Sequence, residues 1–152
     1  MGEGRNITSA NTGGYDFTYR VEYLPFGEFA SKGDYFGSDL KREERPKLAI
    51  GVSYDVNKDA ARQRGQLGNF VQDSNGNQFA TDLSTIFVDA MFKYRGFSSM
   101  MEYGNKTASE NVFATLGDGS TIKYVTGEAF NIQAGYLFKN NSELALRYTT
   151  LT

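Results

Sequence analysis

An all-β chain of antiparallel, up-and-down strands is predicted by two patterns in the 152 residues: side chains alternate apolar and polar along six segments, and the links between them alternate short and long. Composition agrees. Tyr (10) and Phe (12) favour strands, and 17 Gly favour turns. The length fits one domain over residues 1–152.

The first segment, GYDFTYRVEYL at 14–24, sets Tyr15, Phe17, Tyr19, Val21 and Tyr23 on one face and Asp16, Thr18, Arg20 and Glu22 on the other, since successive strand side chains point to opposite sides. KLAIGVSYDV repeats the plan, with Leu48, Ile50, Val52, Tyr54 and Val56 against Ala49, Gly51, Ser53 and Asp55. TIFVDAMFKY is less clean: Ile86, Val88, Ala90, Phe92 and Tyr94 oppose Thr85, Phe87, Asp89, Met91 and Lys93. In FSSMMEY, Phe97, Ser99, Met101 and Tyr103 oppose Ser98, Met100 and Glu102. FNIQAGYLFK sets Phe130, Ile132, Ala134, Tyr136 and Phe138 against Asn131, Gln133, Gly135, Leu137 and Lys139, and ELALRYT sets Leu144, Leu146 and Tyr148 against Glu143, Ala145, Arg147 and Thr149.

Between Tyr94 and Phe97 lie only Arg95 and Gly96, a two-residue hairpin. A three-residue turn at Asn140, Asn141 and Ser142 is expected to set Phe138 opposite Leu144 and Tyr136 opposite Leu146. Long polar links, about 57–82 and 105–123, join the strands at the other end, the second containing the turn-forming GDGS. The link over 25–46, bracketed by Pro25 and Pro46, falls at the short-turn end yet has 22 residues, and the sequence offers no physical account of it.

Several function classes are excluded or disfavoured. Without Cys or His there is no thiolate nucleophile, disulfide or thiolate metal site, and most nucleophile-and-base arrangements disappear. Asp89 and Lys93 share a strand face but stand about 13 Å apart, too far for acid–base work. Neither a phosphate-binding loop nor a dinucleotide glycine pattern occurs, and GDGS lacks the spaced acids of a calcium loop. No enzyme, cofactor or metal is expected. A net charge of −2 disfavours nucleic acid.

A soluble sandwich or ligand-holding barrel would also segregate aromatics from charges, with the aromatics inward. Three details favour a membrane instead. Tyr23, Tyr94, Phe97, Tyr136 and Phe138 gather near the short-turn end and Tyr15, Tyr54 and Tyr103 near the long-loop end, forming the two aromatic girdles that bilayer interfaces select. Short turns at one end and long loops at the other match an outer-membrane barrel, and small residues such as Gly51 and Gly135 leave room in a lumen. No apolar run is long enough for a membrane helix, but barrel strands need only about 9–11 residues. Six strands cannot close, because such barrels begin at about eight. The expectation is a piece of a larger transmembrane barrel, and since MGEGRNITSANTGG carries no basic-then-apolar export signal, a processed form or fragment.

Ordered blocks across nearly the whole chain carry a resemblance: GEGRN, RVEYLPFGEF, KGDYFGSDLKREERPKLAIGVSYDVN, RGQLG, DAMFKYRGFS and GYLFKNNSELALRYT resemble the phosphate-selective porin O and P family. The resemblance implies sixteen-stranded, typically homotrimeric channels in the outer membrane of a Gram-negative bacterium, in contact with membrane lipid and passing small anions such as phosphate along a lumen of Arg and Lys. On this chain the lumen candidates are Arg20, Lys93, Lys139 and Arg147, with Arg62 and Arg64 of the long loop as candidates at the mouth, for which a solvated, free loop charge is the favoured reading. Each lumen cation has an equally good structural role, pairing with a neighbouring carboxylate to hold the wall. The predicted polar face carries six acids (Asp16, Glu22, Asp55, Asp89, Glu102, Glu143) against those four bases, a balance that favours cations if all were equally exposed. A surface scaffold or adhesin built on barrel strands is a third reading.

Overall fold

The computed structural model describes residues 14–30, 36–110 and 113–152. The amino-terminal stretch with GEGRN, and Lys32 to Tyr35 of the KGDYFG block, lie outside the described residues.

The fold is all-β and antiparallel. Its strands are β1 (Asp16–Tyr23), β2 (Lys47–Ala60), β3 (Thr81–Tyr94), β4 (Phe97–Ala108), β5 (Phe113–Thr115), β6 (Thr121–Lys123), β7 (Gly127–Leu137) and β8 (Glu143–Leu151). Six form one sheet in the order β1-β2-β3-β4-β7-β8. These are the six predicted segments, most of them longer than the periodicity indicated. Among the described residues the sheet does not close on itself, and β1 and β8 are its edges. Two short strands escaped the sequence reading: β5 and β6 form a separate hairpin around the GDGS turn, with Ala114 opposite Ile122.

The tight turns follow from local chemistry. Arg95 (φ 49°) and Gly96 (φ 91°) both take positive φ, as a two-residue hairpin turn of type I′ requires. A Cβ on Gly96 would also lie 2.7 Å from the Leu137 carbonyl oxygen. The β7–β8 register corrects the expected one: Tyr136 faces Leu144 and Leu137 faces Glu143, so the loop is 139–141 rather than 140–142. The last residue of such a three-residue loop sits in the left-handed region. Asn141 (φ 65°) tolerates that conformation better than Ser142 would. The two-residue correction leaves every side chain on its predicted face.

The chain divides into two compact units, one from Met1–Tyr19, Tyr54–Ile86 and Asn105–Gly127, the other from Arg20–Ser53, Phe87–Gly104 and Glu128–Thr152. In the first, the links expected to be merely polar fold back and build a core: Ala60, Val71, Leu83, Ala114, Ile122 and Tyr124 are buried together, with Phe79, Ala108 and Leu116 against them. The Tyr124 hydroxyl, 2.6 Å from the Ala60 carbonyl and 2.9 Å from that of Phe79, shares its proton between them. In the second unit the core is Phe29, Ala49 and Met91, packed by Leu24 and Met100. Ala49, Met91 and Met100 lie on the charge-bearing face, so the described parts of the long link, 25–30 and 36–46, lie over that face as a strap and bury Phe29 on it.

Candidate functional site

The polar face of the second unit is a hydrogen-bonded surface. Arg20 on β1 reaches over β2 to Asp89 on β3 with two parallel bonds, Nη1 to Oδ1 at 2.6 Å and Nη2 to Oδ2 at 3.0 Å. It also donates to Ser53 Oγ and Glu22 Oε2, both at 3.0 Å. The crossing is possible because β2 carries Gly51 there; an added Cβ would collide with the Arg20 guanidinium and the Asp89 carboxylate. A second tie runs across the other side of the sheet: Thr149 Oγ1 donates to Asn131 Oδ1 and Asn131 Nδ2 to Glu102 Oε2, each at 3.0 Å. Between these ties lies an open groove of about 410 Å³, lined by Arg20, Ser53, Asp89, Glu102, Asn131 and Thr149, with Phe87 among them.

Toward the tight turns the strap covers this face. Lys93, 1% exposed, points its Nζ at the carbonyls of Phe36 (2.5 Å) and Ser38 (2.9 Å) and stands 5.9 Å from the centre of the Phe29 ring. Asp39, equally buried, accepts the backbone N–H of Glu43 and, at 2.7 Å, that of Gly96. Glu43 accepts the N–H of Ala30 at 2.6 Å, and its own carbonyl receives the N–H of Arg95. Ser38 Oγ donates to Glu143, whose carboxylate also lies 2.7 Å from where a Gly135 Cβ would stand. These bonds fix the strap and supply the account that the sequence lacked.

The predicted site residues are thus dispersed. Arg20 is held in the ion-pair network with its side chain 44% exposed. Lys93 is buried beneath the strap, its ammonium bonded to the Phe36 and Ser38 carbonyls. Lys139 lies in the β7–β8 turn, beyond the end of β7, rather than on a strand face. Arg147 is exposed on β8 opposite Gln133. In the first unit, Arg62 donates to the Gly68 carbonyl and stacks 4.3 Å from the centre of the Phe70 ring, while Arg64 is exposed and its carbonyl accepts Lys106 Nζ. Arg62 and Arg64 occur in a folded loop rather than a free one. The room left by Gly51 and Gly135 is occupied by Arg20–Asp89 and by Glu143.

The girdle candidates lie on strands or at their ends. In the first unit Tyr15 and Tyr54 are exposed; in the second so are Tyr23, Phe97, Tyr136 and Phe138, while Tyr94 and Tyr103 are half-buried. Two further features escaped sequence reasoning: the strap's latch of Ser38, Asp39 and Glu43, and a group of cations from the strap and the turns. The Pro25 and Pro46 brackets and the Asp39-to-Glu43 spacing are features that only the folded link makes meaningful.

Comparison with protein-family models, with curated proteins and with solved structures finds no match.

Proposed function

We propose that this chain forms part of the wall of an outer-membrane β-barrel porin, a passive channel for small hydrophilic solutes, with inorganic anions such as phosphate as the solute class. One observation carries the reading. In the second unit, burial and hydrogen-bonded charge lie on the polar face of the interior strands, while Ile50, Val52, Phe97, Ile132 and Tyr136 of the opposite face stay exposed. In water that arrangement leaves a broad apolar surface uncovered; in a bilayer it puts hydrocarbon against hydrocarbon. The first unit leaves Phe17, Tyr19 and Ile86 similarly exposed. Among the described residues no helix is long and apolar enough to cross a membrane, which says nothing of strands.

Edges at β1 and β8 fit a larger barrel, since unpaired backbone in hydrocarbon costs several kcal/mol per group and further strands would satisfy it. No reaction is needed: ordered polar groups along a water-filled wall replace part of a solute's hydration. The chain has no Trp, so its tyrosines report on the medium. Vesicles with brominated acyl chains should quench tyrosine fluorescence of the folded chain, and planar bilayers should show ohmic steps whose reversal potential in a salt gradient favours anions. Full folding in plain buffer with no quenching by lipid would end the membrane reading; a cation-selective reversal potential would end the anion one.

A further inference from the structure

At the tight-turn end of the second unit, four cations surround a hollow of about 430 Å³: Arg42 and Arg45 from the strap, Arg95 from the β3–β4 turn and Lys139 from the β7–β8 turn, with Glu44 as the one acid and Tyr136 as a wall. None of the four is in an ion pair among the described residues. Two of them are held in place. Arg42 donates to the Phe138 carbonyl at 2.7 Å and to Asn141 Oδ1 at 3.0 Å, and the Arg95 guanidinium lies 5.1 Å from the Tyr94 ring centre.

The hollow borders the exposed apolar face. Tyr136 packs edge-on against Phe138, 5.1 Å between centroids, and directly faces Leu144 across the β7–β8 ladder; all three are exposed. An occupant reaching from the hollow along the strands would meet guanidinium forks first and hydrocarbon next. Free phosphate would use only the first part of that surface.

We propose that this hollow binds the phosphate of a glycerophospholipid headgroup, with acyl chains lying along Tyr136, Phe138 and Leu144. The inference rests on the membrane reading above and adds a site to it. Guanidinium groups match phosphate oxygens in bidentate fashion, and aromatic residues at the same level are what the interface selects. Lys139, expected in the lumen, here serves the rim.

The test uses the whole chain refolded in detergent, with phosphatidylglycerol titrated in and retention followed by native mass spectrometry. Each of R45Q, R95Q and K139Q, at exposed positions outside the strands, should weaken retention about fivefold, the effect of one basic charge at a lipid surface. The control pair R62Q and R64Q should change nothing, and excess inorganic phosphate should not displace the lipid. Equal losses in the control pair would mean diffuse charge attraction, and displacement by inorganic phosphate would mean a free-anion site; either overturns the proposal. So does unchanged retention in the triple variant. If that variant still inserts into vesicles, the membrane reading survives the loss. A wild-type chain that enters no vesicle removes both.

Discussion

A lysine that is 1% exposed is costly unless its ammonium finds acceptors, and Lys93 finds two in the Phe36 and Ser38 carbonyls of the strap. Lys93→Met keeps the stem but abandons the Phe36 and Ser38 carbonyls in a buried place. The expected loss is about 2 kcal/mol, read from denaturant midpoints, with faster proteolysis of the strap. An unchanged midpoint would show that Lys93 does not hold the strap. In the first unit, Asp73 closes a turn of its own: Asn77 Nδ2 donates to its carboxylate at 2.8 Å, and the N–H groups of Asn77 and Asn75 follow at 2.8 and 2.9 Å. The Asn77 side chain, then the backbone donors, hold this carboxyl below its ordinary 3.8. The folded value is depressed, so the turn's stabilisation is present above pH about 4 and lost as pH falls through the lowered value. In Asn77→Ala the Asp73 carboxyl, followed by NMR, should titrate nearer its ordinary value; an identical midpoint in both proteins would refute this origin of the shift.

Among the elements, the β7–β8 hairpin offers the sharpest check. The observed register sets Leu137 against Glu143, whereas a loop at 140–142 would set it against Ala145. The native chain has no cysteine to interfere. Oxidised L137C/E143C should cross-link and L137C/A145C should not, because directly opposed residues approach within disulfide range and residues one pair further do not. Strand existence and facing were legible because a period of two is written locally, as in Tyr15 to Tyr23. The register was less so, since choosing between Asn141 and Ser142 for the left-handed position decides it. β5, β6 and the strap were not legible at all. Three-residue strands carry almost no periodicity, and the strap's bonds join residues such as Phe36 and Lys93 that are 57 apart in sequence.

Over the whole molecule, the two sheet faces differ in what they demand of their surroundings. Val52 lies on the central part of β2 and is 42% exposed. In water, Val52→Arg at such a position is nearly neutral. In a bilayer it should lower stability by about 3 kcal/mol, measured as a shift in the urea midpoint of vesicle-folded protein. Equal midpoints for the two proteins in vesicles would argue that this face meets no hydrocarbon. The candidate site was legible only as a face: the sequence identified Arg20 and Asp89 as neighbours in kind, but their partnership depends on an absence between them. β1 and β3 are not adjacent in the sheet, yet Arg20 and Asp89 join them across the bare backbone of Gly51. One missing carbon therefore couples two strands that exchange no ladder bonds, so that sliding of one past the shared neighbour is felt directly by the other.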